Sequence, residues 1–239
     1  MNELLTQAVE AHGGIARRQE PTEGRATLVS GGDLFSVKGL PQEPAPREMS
    51  VRLHEEHASV TPFGAPDQRT DFTPGRVSIK KLDGRVVAVR ENPRRSFSGH
   101  TLQSPWDPPD RAYFNGYALW TYLTTPSLLA MPGFAVTEIE PWRDGDEVWR
   151  GLRAAFPPEI AGHSTEQDFS FGPDHLLRRH DHHVDVAGGF AAAQYVHDFV
   201  EADGILLPTR RRAYRRDADD RPLVHQVMVS IDLRDVRFR

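Results

Sequence analysis

Residues 178–183, RRHDHH, place three histidines and two arginines within six positions. Read as a strand, alternate side chains of the surrounding stretch 176–190 share a face. Leu177, Arg179, Asp181, His183 and Asp185 then form an ordinary solvated face. Leu176, Arg178, His180, His182, Val184 and Val186 form the other, with protonatable groups in the middle of an apolar row. A buried imidazole or guanidinium without partners is costly, so this face calls for hydrogen-bonding neighbours, water or a ligand.

Three turn signals supply the neighbours. Gly188-Gly189, Pro173-Asp174 and Asp203-Gly204 each read as a tight reversal. Pairing Ala187 with Phe190 sets His180 opposite His197 and His182 opposite Tyr195. The turn at Pro173-Asp174 brings Gln167 beside His180, Thr165 beside His182 and Phe169 beside Arg178. Pairing Ala202 with Ile205 sets Arg210 against His197 and Arg212 against Tyr195. One face of four strands is then expected to carry the rows Gln167–His180–His197–Arg210 and Thr165–His182–Tyr195–Arg212. Phe169, Phe171, Leu176, Val184, Phe199 and Leu206 surround them, and the whole reads as the polar floor of a pocket.

Three uses of that floor stay open. His180, His182 and His197 have the arrangement of a three-imidazole zinc site; Arg178, Arg210 and Arg212 crowd it with positive charge, which opposes a divalent cation. Acid–base work without a metal assigns proton transfer to His180 and His197. Arg210 and Arg212 would then clamp a carboxylate or oxyanion, with Tyr195, His182, Gln167 and Arg178 positioning the substrate. The third use is binding without catalysis.

The elements that must hold these residues are mostly strands. Asn2 to about Ile15 has a helical stripe of Leu4, Leu5, Ala8 and Val9 stopped by Gly13-Gly14. Strand and turn patterns follow to about Asn92, including a hairpin on Asp83-Gly84. A helical insert is expected over about 107–131, capped by Asp107 with Pro108 at its first position. Tyr113, Tyr117 and Trp120 share a stripe of that helix. Either they pack onto the sheet, or the helix lids a cavity and Tyr117 and Trp120 face a ligand. Antiparallel strands run from Gly133 to the end. The expected fold is mainly β (α+β): one domain, 1–239, with about 11–13 strands in a curved antiparallel meander and helices over its concave face.

Composition narrows the function. The 239 residues contain no cysteine, which excludes disulfides, thiolate metal sites and cysteine nucleophiles. A net charge of −5 argues against nucleic acid, although three lysines stand against 26 arginines. The first residues lack the apolar run of a signal peptide, and no stretch reaches the roughly 18–20 apolar residues of a membrane span. A cytoplasmic protein without a membrane role is expected. Arg94, Arg95 and His100 read as a solvated loop before the insert, and HEEH at 54–57 falls in strand pattern rather than on a metal-binding helix. Phosphate-cradling and dinucleotide glycine motifs are missing, and no serine has a nucleophile-elbow context.

The strand start DGILLPTR, 203–210, and the order of elements resemble the LolA/LolB-type half-barrel superfamily over most of the chain. The resemblance implies a curved antiparallel sheet whose concave face holds an apolar ligand under helical lids. The superfamily includes carriers of lipoproteins, which work behind a signal peptide, and a cytosolic branch with an enzyme of violacein biosynthesis. The combined expectation is a protein that binds a hydrophobic, oxygenated or anionic small molecule. It is read first as a cofactor-independent cyclase, isomerase or lyase, with carrier and metal-enzyme alternatives. The sequence leaves the oligomeric state open.

Overall fold

A computed structural model describes residues 2–19 and 21–239. The chain opens with α1 (Glu3–Ala11), capped by Asn2, whose side chain accepts from the Leu5 amide. After α2 (Gly14–Gln19), β1 (Glu23–Gly31) and α3 (Asp33–Val37) come β2 (Arg47–Arg52), β3 (Ala58–Thr61), β4 (Gln68–Thr73), β5 (Arg76–Lys81) and β6 (Val86–Glu91). Next is α4 (Pro108–Thr124), then β7 (Ala135–Asp144), β8 (Glu147–Ala155), β9 (Glu166–Phe171) and β10 (Leu177–Val184). The last three strands are β11 (Phe190–Ala202), β12 (Ile205–Arg216) and β13 (Pro222–Phe238).

All 13 strands form one antiparallel sheet, ordered β6-β5-β4-β3-β2-β1-β13-β12-β11-β10-β9-β8-β7. The mainly β architecture and the helical insert match the expectation from the sequence. The insert forms for the anticipated reason. Asp107 accepts from the Asp110 amide while Asp110 bonds back to the Asp107 amide, a complete capping box with Pro108 at the first position.

Helix α4 is not an ordinary amphipathic helix: every residue from Asp110 to Thr124 is buried. It lies against β2 to β6 and fills the concave side of that half of the sheet. Gly116 allows the close approach, because a Cβ there would sit 2.1 Å from Cγ of Phe72 on β4. Helix α1 covers the other half, with Leu4, Leu5, Ala8 and Val9 against Leu152, Phe169, Phe171 and Val196. The core therefore has two clusters, one under each helix.

One hairpin follows the expected register and two do not. Asp203 and Gly204 both have positive φ, at 51° and 79°, so the turn is the anticipated type I′ form and Ala202 pairs with Ile205. Between β10 and β11 the connection is five residues, with a helical turn at Asp185–Ala187, and Val184 pairs with Phe190. Gly188-Gly189 does turn the chain. Val186 and Ala187, however, are drawn into the core, and the Trp106 indole donates to the Val186 carbonyl at 3.3 Å. Between β9 and β10 a register break at Leu177/Arg179 moves His180 opposite Phe169.

Candidate functional site

The correction at β10–β11 is a shift of three residues. An odd shift exchanges the two faces of the partner strand. His180 therefore stands opposite Gln194 and His182 opposite Ala192, not His197 and Tyr195. The expected pairs Tyr195–Arg212 and His197–Arg210 do form, but on the outer face. There His197 and Arg210 are exposed. Arg210 pairs with Asp198 at 2.7 Å, and Arg212 with Asp232 at 2.9 Å. The Tyr195 hydroxyl accepts from Arg179 at 3.2 Å. Arg178 sits at the register break, bound to Asp174 at 2.7 Å. His180 and His197 cannot work as a pair across the sheet, and His180, His182 and His197 cannot share a metal. Among the described residues no group of three His, Asp or Glu converges as a metal site.

On the concave face the polar cluster is real, with different members. His180 Nε2 lies 2.7 Å from Gln167 Oε1, so this contact is made diagonally although the register differs. Its ring stacks on Phe169 at 4.3 Å. His182 stacks on His163 at 3.9 Å, with the ring planes 13° apart. His163 Nε2 lies 3.1 Å from the Tyr122 hydroxyl. Arg211, the arginine between the two expected ones, donates to Gln194 Oε1 at 3.1 Å and to the Tyr122 carbonyl at 2.8 Å. Its guanidinium also lies 4.6 Å from the Tyr122 ring centre. Tyr117 reaches the same place, its ring 5.0 Å from His163, whereas Trp120 is spent on packing and donates to the Arg52 carbonyl at 2.8 Å.

Burial sets the electrostatics. His163, His180 and His182 are each at most 3% exposed. Desolvation, reinforced by their mutual repulsion and by Arg94, Arg211 and Arg216, pushes all three imidazoles well below the usual value. They are neutral at physiological pH. Among the described residues Arg211 makes no ion pair, and burial lowers it to about 10. Burial also pushes the Tyr122 hydroxyl up to about 12. Nδ1 of His163, Nδ1 of His180 and the Tyr117 hydroxyl are buried without a hydrogen-bond partner.

Arg211, Gln194 and Tyr122 are the members that sequence reasoning missed. Their signal lay in parity: Ile205, Leu207 and Ala213 share the Arg211 face, and Ala192 and Val196 share the Gln194 face. A second missed feature is Glu56, between β2 and β3. It is buried, and its carboxylate accepts from the Ala161 amide at 2.8 Å. Arg94, expected in a solvated loop, instead straps the turn after β6 to the second half of the chain. It donates to the Gly162 carbonyl at 2.6 Å and to Asp185 at 2.7 Å.

Burial raises the Glu56 carboxyl well above its usual value, against the lowering effect of the Ala161 amide and Arg94. The folded state therefore holds a proton that the unfolded chain releases, and stability falls as pH rises above the ordinary Glu range. Glu56→Gln keeps an acceptor for the Ala161 amide and cannot ionise. Its stability relative to wild type should rise between pH 5 and pH 8 in urea titrations. A difference that stays flat with pH would show that Glu56 is already ionised in the fold.

Two lined spaces open near these groups. One of about 350 Å³ lies where the two core clusters meet, bounded by Ile15, Leu53, Leu128, Ala130, Met131 and Pro132. His54, Thr124 and Ser127 add polar atoms, and the Ser127 hydroxyl is buried without a partner. The other, of about 290 Å³, lies beside Arg94, Tyr113 and Ser164. No described helix is long and apolar enough to cross a membrane.

No protein-family model and no curated protein matches the chain. Solved structures do match it. A LolA superfamily protein from Nitrosomonas europaea superposes with a TM-score of 0.55 at 8% identity, covering 98% of this chain and 92% of that one. A domain named for outer membrane lipoprotein sorting, from Vibrio parahaemolyticus, gives 0.56 at 11% identity, with the same coverage. A DUF1329 family protein from Desulfovibrio piger gives 0.52 at 10%, over 98% and 91% of the two chains. At such identities the shared property is the path of the backbone, and in that respect the chain is a LolA-like half-barrel.

Proposed function

We propose that the protein binds a hydrophobic small molecule bearing at least one oxygen, in the space between α2, the C-terminal end of α4 and residues 127–132, as a binding or carrier protein. The observation that carries this reading is the roughly 350 Å³ space between the two core clusters, with mostly apolar walls and three polar residues, His54, Thr124 and Ser127, among its lining. Its volume is in the range of small-molecule sites, and an apolar cleft with few polar atoms is their usual chemistry. The LolA superfamily resemblance supports the same reading, a hydrophobic ligand.

A dansyl-labelled fatty acid is a suitable probe. It should bind saturably, one per chain, and be displaced by oleate. Ala130→Trp fills the space and should weaken binding at least tenfold with the fold intact, because the indole occupies ligand volume. Unchanged affinity in Ala130→Trp, or no binding to wild type, overturns the reading.

A second reading, catalysis, draws on the unpartnered Nδ1 atoms of His163 and His180 and the Tyr117 hydroxyl. A metal-independent isomerase, cyclase or lyase of this kind would use His180 with His163, not His197. It requires α4 to lift from the sheet, because the helix covers the imidazoles. His180→Gln keeps a partner for Gln167 and should abolish turnover of a bound substrate without weakening the dansyl probe.

A further inference from the structure

The smaller space, of about 290 Å³, is assembled from parts of the chain that lie far apart in sequence. Pro74 comes from the β4–β5 turn, Arg94 from the turn after β6, and Tyr113 from α4. The rest of the wall is the β8–β9 connection, where Phe156, Pro157, Pro158 and Ile160 make it largely apolar. Flat, stiff rings of this kind suit a planar ligand. The connection is already fixed. The Ala161 amide donates to the buried Glu56 at 2.8 Å, and the Gly162 carbonyl accepts from Arg94 at 2.6 Å. Gly162 also packs so tightly that a Cβ there would lie 2.7 Å from Nε2 of Gln167. A space formed in advance costs less to fill.

Its polar end is cationic. Among the described residues the one ion pair of Arg94 is with Asp185, at 2.7 Å, and the two side chains are 41% and 42% exposed. A pair so open to water is worth little and yields readily to a competing anion. A guanidinium has more N–H groups than its bonds to Gly162 and Asp185 use, so Arg94 can take a further acceptor. Burial raises the Glu56 carboxyl and the Tyr113 and Tyr117 hydroxyls, all three of which feel the charge of Arg94. None of them supplies a fixed anion. Oε1 of Glu56 and the Tyr117 hydroxyl are buried without a hydrogen-bond partner.

We propose that this space is a second small-molecule site, selective for a planar aromatic monocarboxylate. The carboxylate meets Arg94 beside the Tyr113 hydroxyl, and the ring lies against Phe156, Pro157 and Pro74. A cationic ligand would face the guanidinium, and a long acyl chain would outgrow the volume. The site is separate from the larger apolar space, with which it shares no lining residue.

Isothermal titration with 2-naphthoate at neutral pH tests it. Wild type should bind one per chain with a Kd below about 1 mM. The uncharged 2-naphthamide, of the same shape, should bind at least tenfold more weakly, and so should 2-naphthoate to Arg94→Gln. Arg94 also holds the β8–β9 connection, so a second variant separates binding from folding. Asp185→Asn keeps an acceptor for Arg94 and removes the competing carboxylate, and it should tighten 2-naphthoate binding by about threefold. Ala130→Trp, which fills the larger space, should leave that affinity unchanged. A wild type that does not bind overturns the proposal, as does an amide that binds equally well or an unchanged Arg94→Gln. So do an Asp185→Asn variant that binds no more tightly than wild type, and loss of binding in Ala130→Trp, which would put the acid in the larger space.

Discussion

Taking the pH from 7.5 to 5.5 should cost the fold up to about 4 kcal/mol through the concave-face histidines alone. His163, His180 and His182 are fully buried and held far below the reference imidazole value of 6.5, chiefly by desolvation. In the unfolded chain they titrate normally. Above pH 6.5 both states are neutral at these sites and nothing is gained or lost. Below it the unfolded chain takes up protons that the folded state refuses, so stability falls as pH falls. Each group contributes about 1.4 kcal/mol at one pH unit below its unfolded value, and three together about 4 kcal/mol.

Among the described residues, no carboxylate acts on the imidazoles to compensate. Arg211 lies on β12, Tyr117 and Tyr122 on α4, and Arg94 and Arg216 act from further away. Guanidinium titrations at the two pH values measure the loss. His182→Phe keeps the stacking on His163 and removes one titrating site. Its stability should depend on pH less steeply, by about 1.4 kcal/mol per unit in the acid limb. An unchanged acid slope would mean that protons enter the folded cluster, which its burial forbids.

The second large effect concerns how α4 is held. Gly116→Ala should destabilise the protein by about 2 kcal/mol or more, and Gly116→Val by more still. Helix propensity predicts the opposite sign, because alanine in a helix interior is favoured over glycine by about 1 kcal/mol. Packing decides. The added Cβ would lie 2.1 Å from Cγ of Phe72 and 2.6 Å from its Cβ and Cδ1. Phe72 cannot yield easily, being fully buried with its ring 5.6 Å from that of Tyr113. Phe72→Leu opens space, so it should recover part of the loss when combined with Gly116→Ala. Gly75→Ala, with nothing within 4 Å, should change stability by no more than about 0.5 kcal/mol. Thermal unfolding of the four variants separates the cases. A stabilised Gly116→Ala would show that α4 is not seated on β4.

Both effects bear on the proposed ligand site, because α4 seals the histidines and its C-terminal end forms one wall of the apolar space. A variant that loosens α4 should expose the imidazoles to solvent and widen the site together.

The sequence alone determined the elements. Alternation of apolar and polar residues specified strands, Asp107 and Pro108 specified where α4 begins, and Asp203-Gly204 specified a turn whose register proved correct. These are local properties, set by backbone geometry within a few residues. It also determined that β10 buries His180 and His182, but not that Leu177 and Arg179, expected on the solvated face, are buried too, Leu177 beside the register break and Arg179 between Asp181 and the Trp142 ring. Tertiary structure decided what those histidines meet. Gly188-Gly189 permits a two-residue turn, but Trp106 and the segment before α4 hold Val186 and Ala187 in the core and lengthen the connection. That three-residue shift sent Tyr195, His197, Arg210 and Arg212 to the outer face and brought Gln194 and Arg211 inside. The sealing of the cluster was equally illegible, since it depends on Phe72 and Gly116, 44 positions apart, packing so closely that no Cβ fits between them. A strand pattern records which side of a residue is buried, and only packing across the chain chooses the neighbour.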